Sequence, residues 1–193
     1  LTLDSGSITL CGTALESVPE GSRARIISRV WQNPNAGTFG NMTVAENMAI
    51  AGFRNGSARF RSGIPKSQHS YFVKLLATLE MGLEKKIDAK MNQLSGGQRQ
   101  AIALLLATLC PPQLLLLDEH TASLDHSTGE KILQLTNRLV REQKITTMMI
   151  THNIANALQY GDRLIAMRAG TIVLDADTER KKTLRMADVL NVL

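Results

Sequence analysis

The run Leu114-Leu115-Leu116-Leu117-Asp118-Glu119 constrains the fold of this chain more than any other segment. Four consecutive leucines without polar alternation read as a buried strand, which belongs in a sheet covered by helices. Upstream lies an apolar stretch that predicts a helix over about Gly97 to Cys110, closed by Pro111-Pro112. Downstream, helical spacing over about Ser127 to Glu142 leads to a strand, Ile145 to Thr151 (ITTMMIT), and then to a helix over about Ile154 to Tyr160. Strand and helix alternating at these lengths predict an α/β fold with a parallel sheet flanked by helices.

The N-terminal part carries two more strand signals. One is Ser7 to Cys11 (SITLC), punctuated by Gly6 and Gly12, and the other is Arg25 to Trp31 (RIISRVW), stopped by Asn33-Pro34. Between Asn35 and Asn92 the composition changes. Val44 to Ala51 and Ser70 to Met81 read as helices, the second with Phe72, Leu75, Leu76 and Leu79 at helical spacing. Between them glycine, asparagine, serine and arginine gather, giving a flexible basic loop with Arg54, Arg59 and Arg61. Near the C-terminus, Arg163 to Met167 and Thr171 to Leu174 meet at Ala169-Gly170, a hairpin signal, and a last helix is expected over Leu184 to Leu193. The expected organisation is a first core part (1–34), an inserted α-helical subdomain (35–112) and a second core part (113–193).

Composition narrows the classes of partner. The net charge is +5, but aromatics make up 4% of the chain, too few for a stacking platform, so no nucleic acid is expected. A mildly basic surface suits phosphate ligands or anionic lipid. Cys11 and Cys110 lie far apart among apolar neighbours and are expected to be buried, reduced thiols of a cytosolic protein. No apolar run approaches the length of about 20 residues needed to span a bilayer. The chain opens on Leu1 without a methionine, so its natural N-terminus is expected further upstream.

Two motifs carry chemistry. Ser95 and Gln98 have the spacing of a capping box at a helix start, and Gly96-Gly97 sit between them. Each glycine weakens a helix by about 1 kcal/mol relative to alanine, so a pair in the first turn suggests a close approach to the backbone. The N–H groups of such a turn can receive a phosphate. Asp118 and Glu119 stand together after the buried strand. One carboxylate suits Mg²⁺ and the other can polarise water, while the alternative reading is a helix cap. Phosphoryl transfer asks for such positioned charge and a positioned nucleophile.

Leu94-Ser95-Gly96-Gly97-Gln98 and Leu114 to Glu119 resemble the signature and Walker B motifs of ATP-binding cassette (ABC) ATPases, and the resemblance extends from Gly6 onward. It implies that Ser95, Gly96, Gly97 and Gln98 hold the γ-phosphate of ATP bound to the opposite subunit. It implies that Asp118 binds Mg²⁺, that Glu119 is the catalytic base and that His152 is the switch histidine. Ser123-Leu124-Asp125 resembles the D-loop, with Asp125 as an alternative helix cap. Gln32 resembles the Q-loop glutamine that senses Mg²⁺. Met42 to Asn47 is similar to the segment that meets the membrane partner in importers, or is simply a helix capped by Thr43 and Glu46.

Departures from the family pattern are plain. No stretch fits G-x-x-x-x-G-K-[ST], the loop that cradles ATP phosphates. His120 and His126 stand where proline is usual. The resemblance therefore implies a P-loop NTPase-like core whose first strand and phosphate loop precede Leu1, and a chain inactive alone. The implied partners are a second ATPase subunit and transmembrane permease subunits, with a cytoplasmic location on the inner face of the membrane. The string Asp118 to Asp125 is similar to importers of amino acids or small solutes. Alternatives are a soluble non-transport ABC ATPase, or a regulatory subunit that offers its signature motif only in trans.

Overall fold

The computed structural model describes residues 3–53 and 64–193. The basic loop expected around Arg54, Arg59 and Arg61 falls outside the described residues. The chain forms two compact units, Leu1–Met149 and Ile150–Leu193.

The first unit is built on a three-stranded sheet in the order β3 (Ile27–Val30), β4 (Leu114–Asp118), β5 (Thr146–Ile150). β3 and β4 run parallel, with Ile27 opposite Leu114 and Val30 opposite Leu117. Alternation sorts their side chains: Ser28, Val30, Leu115 and Leu117 are buried, whereas Arg29 and Trp31 point to the exposed side. Helix α4 (Gly96–Thr108) packs against β3. It is buried through Gln100, Ala101, Ile102, Ala103, Leu104 and Leu105, because its sequence offers almost no polar face. Helix α5 (His126–Gln143) contacts α4 and is amphipathic, with Ile132, Leu135, Thr136 and Leu139 buried at spacings of three and four. Helices α2 (Val44–Gly52) and α3 (Lys66–Ala77) join the same core through Met48, Phe72 and Leu76.

Ahead of the sheet, β1 (Thr9–Leu10) and β2 (Thr13–Ala14) form an antiparallel hairpin. Cys11 and Gly12 both have positive φ, the tight two-residue turn that matches strand twist. Cys11 is therefore exposed on a turn and Cys110 is partly buried, which corrects the expectation of two buried thiols; both are free.

Helix α1 (Glu20–Ile26) corrects the long strand read from Arg25 to Trp31. Glu20 in its first turn and Arg23 and Arg25 in its last oppose the helix dipole, and the chain passes directly into β3 at Ile27. Helix α3 begins at Lys66, just after Pro65, and stops at Ala77, four residues before the expected end. The strand β5 is half exposed, with Met148 and Ile150 open on one face.

In the second unit, α6 (Ile154–Gln159) precedes the hairpin β6 (Leu164–Arg168) and β7 (Thr171–Ala176), which turns at Ala169-Gly170. Its core is Leu164, Ala166, Leu174 and Val189. The helix expected over Leu184 to Leu193 is present as the shorter α8 (Met186–Leu190), and a further helix, α7 (Thr178–Thr183), precedes it. Asp177 caps α7 by accepting from the Arg180 N–H at 2.9 Å, and Leu184 is extended, which separates the two.

Candidate nucleotide site

The capping box at α4 is formed. Ser95 Oγ accepts from the Gln98 N–H at 3.2 Å, and Gln98 Oε1 accepts from the Ser95 N–H at 3.3 Å. The Gln98 side chain also accepts from Lys86 Nζ at 3.1 Å and donates to the Met81 carbonyl at 3.3 Å. It holds the helix start to the preceding segment. The Ser95 hydroxyl proton is not consumed by the cap, because the oxygen acts there only as acceptor. The Gly96 and Gly97 N–H groups lie in the first turn, where no intrahelical acceptor exists.

The two glycines differ. A Cβ on Gly97 would lie 2.3 Å from Thr128 Cγ2 of α5, whereas one on Gly96 would meet only Leu124 Cδ2, at 3.6 Å. Gly97 is thus required by helix packing, and Gly96 is not. Thr128 cannot easily turn away, since its backbone N–H and hydroxyl both bond the Asp125 carboxylate. Those bonds hold the Asp125 carboxyl below the usual carboxylate range. Asp125 is the N-cap of α5, its Oδ1 lying 3.0 Å from the Thr128 nitrogen.

β4 ends at Asp118, and Glu119 is already outside the strand with φ 44°. Glu119 thus adopts a left-handed turn directly after the strand. A left-handed non-glycine residue costs about 1 kcal/mol or more, and such residues gather at functional sites. His120 follows, buried to 1% exposure. Thr136 Oγ1 gives its only proton to the Ile132 carbonyl at 2.7 Å, so His120 Nε2 donates to Thr136 Oγ1 at 3.1 Å. The ring is neutral, its pKa pushed down to about 4 by burial.

Asp118 Oδ2 is paired with Arg29 Nη2 at 2.5 Å, and the Arg29 guanidinium lies 3.5 Å from the Trp31 ring centroid. Neither link follows from the motifs. The signal the sequence does hold is a charged residue inside β3, one strand from the acidic strand end. Gln32 follows Trp31 and is exposed; its carbonyl accepts from Ser123 Oγ at 3.2 Å, joining the Gln32 turn to the segment before Asp125. The same turn is held from α4, where Gln100 Nε2 donates to the Trp31 carbonyl at 3.2 Å and Arg99 Nη1 to Asn35 Oδ1 at 3.1 Å. His152 belongs to the second unit, exposed between β5 and α6, beside Asn153, the α6 N-cap.

These groups suit MgATP by donor type. Mg²⁺ takes one or two carboxylates and completes its shell with water and phosphate oxygens. Asp118 and the Gln32 amide oxygen are such donors, although no three His, Cys, Asp or Glu side chains converge among the described residues. The α4 start supplies N–H and hydroxyl donors for a phosphate.

An α/β fold with a capped, glycine-rich helix start and an acidic strand end suits a nucleotide-binding protein. The family described as ABC transporter matches residues 1–122. The tyrosine transport ATP-binding protein of Clostridioides difficile (strain R20291) is 42% identical over 186 residues, covering 96% of this chain and 74% of that protein. The phosphonates import ATP-binding protein PhnC 1 of Ruegeria sp. (strain TM1040) is 32% identical over 176 residues, covering 89% of this chain and 67% of that protein. A dimeric structure of the ATP-binding cassette MJ0796 in a post-hydrolysis state, bound to ADP and Pi, superposes with a TM-score of 0.71 at 27% identity, covering 91% of this chain and 74% of that one. The chain belongs to the ABC transporter family, as an ATP-binding protein. Among the described residues no helix is long and apolar enough to cross a membrane.

Proposed function

We propose that this chain is the nucleotide-binding subunit of an importer for an amino acid or a similar small solute. It takes part in binding and hydrolysing MgATP at a head-to-tail interface with a second ATPase subunit. The observation that carries this reading is the α4 start, where Ser95 Oγ serves the cap as an acceptor only and the first-turn N–H groups have no acceptor within the helix. The identity to a tyrosine transport ATP-binding protein supports the solute class.

Asp118 and Gln32 act at the metal side, Glu119 polarises the attacking water, and His152 contacts the γ-phosphate. Asp125 and Ser123 couple the two sites of the dimer. Residues 35–112 form the inserted helical subdomain between core parts 1–34 and 113–193. A cleft of about 280 Å³, lined by Trp31, Phe39, Asn47 and Ile50, is the place for a permease segment. The protein then sits in the cytoplasm on the inner face of the membrane.

Glu119→Gln decides the assignment. In a form of the protein that carries a phosphate loop, the variant is expected to retain ATP and accumulate as a dimer in size-exclusion chromatography, with hydrolysis reduced at least about a hundredfold, the scale of losing a group that acts in the transition state. Hydrolysis at the parental rate would overturn the role of Glu119.

A further inference from the structure

One basic side chain at the site has no part in the reading above. Arg29 stands on the exposed side of β3 and reaches across to the neighbouring strand end, where it pairs with Asp118 Oδ2. The same guanidinium lies over Trp31, 3.5 Å from the ring centroid. Parallel pairing sets this geometry: Arg29 is opposite Leu116, so the side chains of Arg29 and Asp118 rise on one face of the sheet. The planar guanidinium can stack and donate at once, which an ammonium cannot do.

We propose that Arg29 is a positioning residue that serves as the resident counter-ion of Asp118 and gives up the carboxylate when a divalent cation binds there. The proposal rests on Asp118 as the cation-side carboxylate. An aspartate paired with a guanidinium has its charge already compensated, so a cation must compete for it. Release of Arg29 from Asp118 also loosens its stack on Trp31. Trp31 is one residue before Gln32, and its carbonyl is held by Gln100 of α4. The exchange at Asp118 is thereby transmitted to the Gln32 turn and to the helix that starts at Ser95. Arg29 touches neither phosphate nor water in this role; it acts through Asp118 and Trp31.

The chain contains a single tryptophan, so its emission reports on the surroundings of Trp31, the Arg29 stack among them. All side chains involved are partly exposed, and the variants are expected to keep the wild-type circular dichroism and melting midpoint. Asp118→Asn should shift Trp31 emission in the same direction as Arg29→Gln, and the double variant should add nothing further. Arg29→Lys should keep a charge near Asp118 but show the unstacked emission. Titration with MgCl₂, against NaCl at matched ionic strength, should move the wild-type emission toward that of Arg29→Gln and leave Arg29→Gln and Asp118→Asn unmoved. Wild-type emission in Asp118→Asn would show that the pair does not govern the stack and would overturn the proposal. An Mg²⁺ response equal in wild type and Arg29→Gln, or none in the wild type through the millimolar range, would overturn the exchange. Parental hydrolysis in the Glu119 experiment would leave these emission shifts untouched, so the two readings fail separately.

Discussion

At the scale of single residues, the glycine pair divides its work. Gly97→Ala forces a methyl group against Thr128, whose hydroxyl is pinned by Asp125, and should cost about 1–3 kcal/mol, the usual scale of overpacking. Gly96→Ala meets only an ordinary contact and should be neutral or stabilising by up to about 1 kcal/mol. Urea denaturation separates the two, and Thr128→Ser in the Gly97→Ala background should recover most of the loss. A larger loss for Gly96→Ala than for Gly97→Ala would refute the packing argument.

His120 supplies the pH dependence. Burial lowers its pKa from 6.5 to about 4, so the unfolded chain takes up the proton first as acid is added. Its contribution to stability is full above pH 6.5 and is lost as pH falls from there toward about 4, in total about 3 kcal/mol. The Asp125 and Glu46 carboxyls are held below their ordinary values, so their stabilisation is lost only in more acidic solution. His120→Gln keeps an N–H donor for Thr136 and should flatten the stability profile between pH 6.5 and about 5. An unchanged slope there would assign the titration to another group.

At the scale of elements, α4 serves two ends with one residue. Ser95 caps the helix and is also the residue proposed to meet a phosphate. Aspartate is as good an N-cap as serine. Ser95→Asp should therefore leave the urea midpoint within about 0.5 kcal/mol of wild type, while its negative charge abolishes ATP-driven dimer formation in a form that binds ATP. Loss of stability together with loss of dimer would leave only the cap as its role.

Elements with strong local signals are legible in the sequence by themselves. β4 falls on Leu114 to Asp118 as read, and α5 and α6 differ by a residue at most at each end, because Asp125 and Asn153 are plain caps. α1 is not legible: Ile26-Ile27 looks like strand, and only the charges on Glu20, Arg23 and Arg25 mark the helix. α7 has one local signal, the Asp177 cap at its start, which helical spacing alone passes over. Within the site, the motifs name Ser95, Asp118 and Glu119, but Arg29 becomes visible only when parallel pairing sets it beside Asp118. A pairing across 89 positions leaves no periodic trace in one sequence.

At the scale of the whole chain, the 193 residues contain a helix start that can meet a phosphate and an acidic strand end, but no lysine-bearing glycine loop. Phosphates are held chiefly by that loop, through a ring of backbone N–H groups and the lysine. This chain alone should therefore bind ATP no tighter than about millimolar, equivalent to only about −4 kcal/mol. Isothermal titration calorimetry reads this directly, and micromolar binding would refute the claim that the loop is essential.

The contact between Gly97 and Thr128 also has an evolutionary consequence. Selection cannot test position 97 alone: a side chain gained there is tolerated only after the methyl at 128 has gone. Across descendants of this chain, the two sites should drift as one unit, with the order of substitution fixed. The signature motif is thus held in place partly by a threonine thirty-one positions away that carries no motif of its own.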